Sequence, residues 1–161
     1  MILQLACKPQ VFYFLRKHYG ESMKLSEKDT VSTLIFNTLL KNRENAHEQK
    51  KLKNYPLYYP IKVSNYTYDK YNLKTFSAYK IRVINKYIDT IFELAFYLYV
   101  LKALHVDKKN LKTSIEDFML IYEIDEDYYS FDAMKKEYAR FKNGDKKNIE
   151  KLLKKIPAHL S

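Results

Sequence analysis

The stretch Ser114–Lys142, SIEDFMLIYEIDEDYYSFDAMKKEYARFK, decides how the rest of the chain is read. It divides into three short helical runs with tight joints. Ser114 or Thr113 is placed to cap the first, with Glu116 or Asp117 as the reciprocal capping partner, and Phe118, Ile121 and Tyr122 recur at helical spacing behind it. Asp125-Glu126-Asp127 suits the positive end of a very short second helix through Tyr128 and Tyr129. Ser130 caps a third helix, Phe131 to Lys142, in which Phe131, Met134, Tyr138 and Phe141 form an i, i+3, i+7, i+10 apolar stripe. Lys135, Lys136, Arg140 and Lys142 fall on its other side.

A helix, a tight turn and a basic amphipathic helix make up the pattern of a helix-turn-helix DNA reader. The first helices bury the back of the last, whose polar side then enters a major groove with cations aimed at phosphates and base edges. In its acidic-capped first helix, in Ile124 at the turn, and in the series Met134-Lys135-Lys136, Tyr138 and Arg140, the chain resembles the helix-turn-helix regulators of phages and mobile elements, the Mor-type activators among them. The likeness covers about a fifth of the chain, and Glu123 stands near the place of the turn's usual glycine. It implies a DNA-binding helix at 131–142 and no particular target.

One feature runs against DNA. Ser114 to Met134 holds Glu116, Asp117, Glu123, Asp125, Glu126, Asp127 and Asp132, and no lysine or arginine. A duplex with a charge every ~1.7 Å repels such a run. The acids must point away from DNA, or the module meets a basic protein surface. The plain structural alternative is a helical hairpin that closes the core.

Composition widens the frame. A chain of 161 residues suffices for one domain with a real core, and two glycines in all disfavour a turn-rich β fold. A net charge of +10 points to an anionic partner, nucleic acid first, although 25 of the 29 basic residues are lysine and describe a solvated surface equally well. The single Cys7 excludes an internal disulfide and fits a reducing compartment. Leu94 to Leu101, the longest apolar run, is too short to span a bilayer, and no signal peptide is read at the start. The expectation is a soluble, cytoplasmic protein.

In chain order, Ile2–Ala6 is a strand or an extended lead-in. Pro9 opens a helix to Tyr19 that Gly20 stops. Ser26 with Asp29 reads as a capping box for a helix to about Leu40. Asn42–Asn54 is wholly polar, a linker or exposed helix, and His47 within it has no partner at metal-ligand spacing.

Lys50 to Lys86 has nine basic residues against one acid, Asp69, and is rich in tyrosine. Pro56 and Pro60 bar a helix at its start. Alternation over 57–63 and over 66–68 predicts a β-hairpin turning at Ser64-Asn65. On such a hairpin Lys62, Lys70, Tyr66 and Tyr68 would offer cations to phosphate and rings to bases. Tyrosines that cover the core are the alternative.

Ser77 to Leu104 reads as a long central helix with Ile81, Ile84, Ile88, Ile91, Ala95 and Leu98 along one stripe and Lys80, Arg82 and Lys86 outward. From Ile91 on it is apolar almost all round, which suits burial on several sides or a homodimer through Phe96–Tyr99. Asp145 is placed to cap a last basic amphipathic helix that Pro157 stops.

Site chemistry is sparse. One cysteine and four scattered histidines make no zinc set. Asp125-x-Asp127 opens like a calcium loop, but Ser130 and Lys136 stand where the loop needs glycine and a bidentate glutamate. No glycine-rich loop cradles a nucleotide. No catalytic residue, metal or cofactor is assigned.

The reading is therefore a mainly α protein: a helical domain around a long buried central helix, a small β-hairpin and a C-terminal helix-turn-helix-like module. Its segments are 1–54, 55–109 and 110–161, packed as one compact domain. The expected function is double-stranded DNA binding in transcriptional control or maintenance of a phage or mobile element, through Lys135, Lys136, Arg140 and Lys142 with Lys62, Lys70, Tyr66 and Tyr68 as a second surface. The alternative is an accessory protein that binds another protein through the acidic 116–127 surface or the apolar helix at 91–101.

Overall fold

A computed structural model describes residues 1–26, 29–40, 54–70 and 77–155, with side chains through Gly144. The polar segment with His47, most of the stretch after α3, and the lysines and apolar residues beyond Asp145 lie outside the described residues or side chains. Strand β1 is Ile2–Cys7, helix α1 Pro9–Tyr19, β2 Met23–Lys24, α2 Thr30–Leu40, β3 Leu57–Lys62, α3 Asn65–Lys70, α4 Ala78–His105, α5 Leu111–Ile121 and α6 Phe131–Lys155. The chain is mainly helical, its longest helix is α4, and it divides into two units, Met1–Ile88 and Asp89–Ser161, with the boundary inside α4.

In the first unit a three-stranded sheet has the order β1-β3-β2. β1 runs antiparallel to β3, with Leu3 opposite Ile61 and Leu5 opposite Tyr59, and all four side chains are buried as cross-strand pairs. β2 is parallel to β3, Met23 opposite Ile61, and only two residues long. The Met1 and Val63 backbones bond each other in both directions, so counting by twos leaves Pro60 at a position that needs no bond to β1.

Turn chemistry sets the helix ends. Pro9 opens α1. Gly20, at φ 73°, sends its N–H to the Arg16 carbonyl at 2.9 Å and stops the helix in a conformation that costs glycine little. The Tyr59 hydroxyl then donates to the Gly20 carbonyl at 2.9 Å, tying β3 to that end. Asp29, rather than Ser26, caps α2: its Oδ2 accepts from the Ser32 N–H at 2.7 Å and from the Tyr19 hydroxyl at 2.8 Å.

Two expectations for this unit are corrected. The β-hairpin does not form. Ser64 Oγ accepts from the Thr67 N–H at 3.0 Å and caps α3, so Tyr66–Tyr68 is helical and β3 pairs with strands from the N-terminal end instead. Lys80 does not face outward either. It is 8% exposed, and its Nζ donates to the Leu39 carbonyl at 2.7 Å, where the last turn of α2 has carbonyls to satisfy. Asn85, fully buried, works as a surrogate strand: its side-chain oxygen accepts from the Lys8 N–H at 2.8 Å and its amide donates to the Ala6 carbonyl at 2.9 Å.

In the second unit Phe92, Phe96, Val100 and Ala103 of α4 are buried; Phe92 and Phe96 meet α5, and Tyr97 meets Phe141 of α6. Phe118 of α5 is the hub. Its ring lies 5.1 Å from Phe96, 5.6 Å from Phe92 and 4.5 Å from Tyr122 by centroids. The expected single stripe on α4 holds only for its first part: Ile81, Ile84 and Ile88 are buried, but Leu98 is 56% exposed.

Candidate nucleic-acid interface

The module begins earlier than its capping pattern predicts. Asn110 caps α5, its Oδ1 accepting from the Thr113 N–H at 2.8 Å. Ser114 is fully buried and donates its hydroxyl to the Asn110 carbonyl. At the other end of α5 the N–H of Glu123 meets the Leu120 carbonyl and that of Ile124 meets the Met119 carbonyl, a Schellman motif with Ile124 and Met119 both buried. Glu123 occupies the left-handed position at φ 52° where glycine is usual.

The expected short helix at 125–129 is a turn. Asp125 Oδ1 accepts from the Asp127 N–H, and the Asp125 carbonyl accepts from Tyr128 and Tyr129. The joint from Tyr122 to Ser130 is thus longer than the three or four residues of a helix-turn-helix turn. Ser130 does cap α6, accepting from the Ala133 N–H at 3.3 Å. Helix α6 does not end at Lys142; it continues through Gly144 and Asp145 to Lys155, since one interior glycine costs a helix only about 1 kcal/mol.

The stripe on α6 is the part the sequence placed best. Met134, Tyr138 and Phe141 are buried, and Phe141 stacks on Tyr97 with centroids 4.0 Å apart and planes 11° from parallel. Burial, with the carboxylates Glu93, Glu137 and Asp89 behind it, pushes the Tyr97 phenol well above its ordinary value, so it stays neutral. With that side fixed, Lys135, Lys136, Arg140 and Lys142 are all exposed. Arg140 is paired with Glu137 one turn before it. Lys135, Lys136 and Lys142 have no ion-pair partner among the described residues. The joint's acids are exposed too; they precede α6 in the chain, and Asp132 lies in its first turn.

The second expected surface belongs to the first unit and, apart from Lys62, is helical. Tyr66 and Lys70 sit a turn apart on α3, with the Lys70 ammonium 5.3 Å from the Tyr66 ring centre. Tyr66 is 71% exposed and Tyr68 half-buried. Lys62 is exposed at the end of β3. Ile121, at helical spacing with Phe118 and Tyr122, is exposed rather than buried, and Leu120 beside it and Asn85 in the first core carried no sequence signal that singled them out.

Among the described residues no group of three His, Cys, Asp or Glu side chains could hold a metal ion, and no helix is long and apolar enough to cross a membrane. Cys7 is fully buried, its Sγ directed at the Leu5 carbonyl, and burial raises its thiol far above the ordinary range. Comparison with known proteins found no family model, no curated protein and no solved structure that matches this chain.

Proposed function

We propose that this chain binds double-stranded DNA as a regulator, and that α6 docks on the phosphate backbone through Lys135, Lys136 and Lys142. One observation carries the reading: three lysines are exposed and without ion-pair partners among the described residues, on a helix whose other side is locked into a core. Arg140 shares its charge with Glu137 and contributes less.

Contact is to phosphates rather than to base edges. A recognition helix reads bases with its N-terminal residues. Here that end carries Asp132 and follows Asp125, Glu126 and Asp127, which a major groove repels. The cations begin only past the first turn of α6, so the middle of the helix approaches the backbone while the acidic end points away.

The test is fluorescence anisotropy with a labelled mixed-sequence duplex over a series of KCl concentrations. The native chain should bind with an affinity that falls steeply on log–log axes, by about 0.9 in slope per phosphate contact. Lys135→Glu with Lys136→Glu should weaken binding by more than about tenfold and flatten the slope by about 2, with helical circular dichroism unchanged. Binding that ignores both substitutions, or no binding at low salt, would overturn the proposal.

A further inference from the structure

We infer that the C-terminal turn of α5 and the joint after it form a second, separate docking surface, whose partner is a lysine- or arginine-rich amphipathic segment of another protein. The apolar part is Leu120, 78% exposed, with Ile121 at 39% and Tyr128 at 49%. Three large apolar side chains within nine positions of one another stand in solvent, whereas Phe118 and Met119 just before them and Ile124 among them are buried. Large apolar groups left exposed so close together in the chain mark a contact surface more often than isolated ones do.

The charges around them say what the contact must be. Glu116 lies one helical turn before Leu120, Glu123 follows at the left-handed end of the helix, and Glu126 precedes Tyr128 in the joint; all three are exposed. Glu116 is held only loosely, by Lys112 at 3.7 Å with both side chains largely in solvent. From Thr113 to Met134 every charged side chain is an acid, seven in all, in a chain whose net charge is +10. Lys109 reaches Asp117 at 2.7 Å and Lys112 reaches Glu116 from outside that stretch, which leaves it an acidic excess. The patch is thus an acidic island on a basic protein. Nucleic acid and anionic lipid surfaces are repelled by it. A cationic segment is drawn to this one place and repelled elsewhere, so charge selects the partner and orients it, while Leu120 and Tyr128 supply apolar anchors. The inference stands independently of the DNA proposal, because it uses no residue of the α6 lysine face.

The experiment uses the full chain and a labelled helical leucine–lysine peptide with its leucines on one face. The native chain should bind it, and Leu120→Ser should lower the affinity by roughly tenfold. Glu116→Lys with Glu126→Lys should lower it at least as much, and a peptide with glutamate in place of lysine should not bind. All these positions are exposed, so circular dichroism should be unchanged, and the duplex affinity of Leu120→Ser should match that of the native chain. Equal binding by the native and substituted chains, binding of the glutamate peptide, or no binding at all would overturn the inference. So would sedimentation showing self-association that Leu120→Ser abolishes, which would give the surface to a second copy of the chain.

Discussion

Glu123 is the residue at which a local rule is broken. Its backbone sits at φ 52° in the left-handed region, where a side chain other than glycine costs about 1–2 kcal/mol. The Schellman bonds of Glu123 and Ile124, with Ile124 and Met119 both buried, hold it there. Glu123→Gly should therefore stabilise the fold by about 0.5–1 kcal/mol, after the greater freedom of glycine in the unfolded chain is set against the relief. Urea midpoints measure this, and a lower midpoint for the variant would mean that the glutamate's own contacts outweigh the strain. Asn85 is the opposite case, a polar residue in a core that satisfies the Lys8 N–H and the Ala6 carbonyl at the end of β1. Its amide also reaches the Ile81 carbonyl one turn away, but nothing in the local sequence marks the residue, because Lys8 and Ala6 stand nearly eighty positions away.

Among the elements, α5 is joined to α4 largely through a single ring. Phe118 is 1% exposed and meets Phe92, Phe96, Tyr99 and Tyr122. Phe118→Ala should cost about 3–5 kcal/mol in thermal or urea unfolding, since it removes a large buried ring and leaves a cavity among rigid neighbours. A loss below about 1 kcal/mol would show that this ring does not anchor α5 to α4. Helix α6 shows how far periodicity reaches. Met134, Tyr138 and Phe141 were placed on the buried side by spacing alone, and burial follows. The end of the helix was not legible, because Gly144 and Asp145 resemble a stop and a new cap yet remain in one continuous helix. Boundaries hang on a few tenths of a kcal/mol, whereas faces hang on a whole stripe of burial.

Across the whole molecule, the sixteen tyrosines set the response to alkali. Burial pushes Tyr59 up to about 12, and it pushes Tyr97 and Tyr129 higher, with Glu137, Glu93 and Asp89 adding to the effect. Tyr19 is raised by burial and by its bond to Asp29. Each folded value lies above the unfolded one near 10, so the folded state holds more protons in that range. The stability these groups confer is complete below about pH 10 and is lost as pH rises through the folded values. Urea midpoints should be level up to about pH 9 and fall beyond 10, with phenolate absorbance arriving in two phases, the later one coincident with unfolding. A single early phase without unfolding would contradict this.

What the sequence determined alone was whatever depends on neighbours within one or two turns. The mainly helical content, the start of α1 at Pro9 and its stop at Gly20, the long α4 and the two-sided character of α6 all follow from spacing and caps. The sheet was decided by tertiary structure. β3 is alternating and flanked by turn residues, which is equally good for a hairpin, but its partners are Ile2–Cys7 and Met23–Lys24, and only the packed chain brings them alongside. The same holds for Lys80, basic and helical by sequence, yet drawn inside by the Leu39 carbonyl. Local patterns fix which side of an element is apolar, because that is a property of the element. Which strand pairs with which, and which cation is buried, depends on partners distant in the chain, and those are chosen only when the core closes.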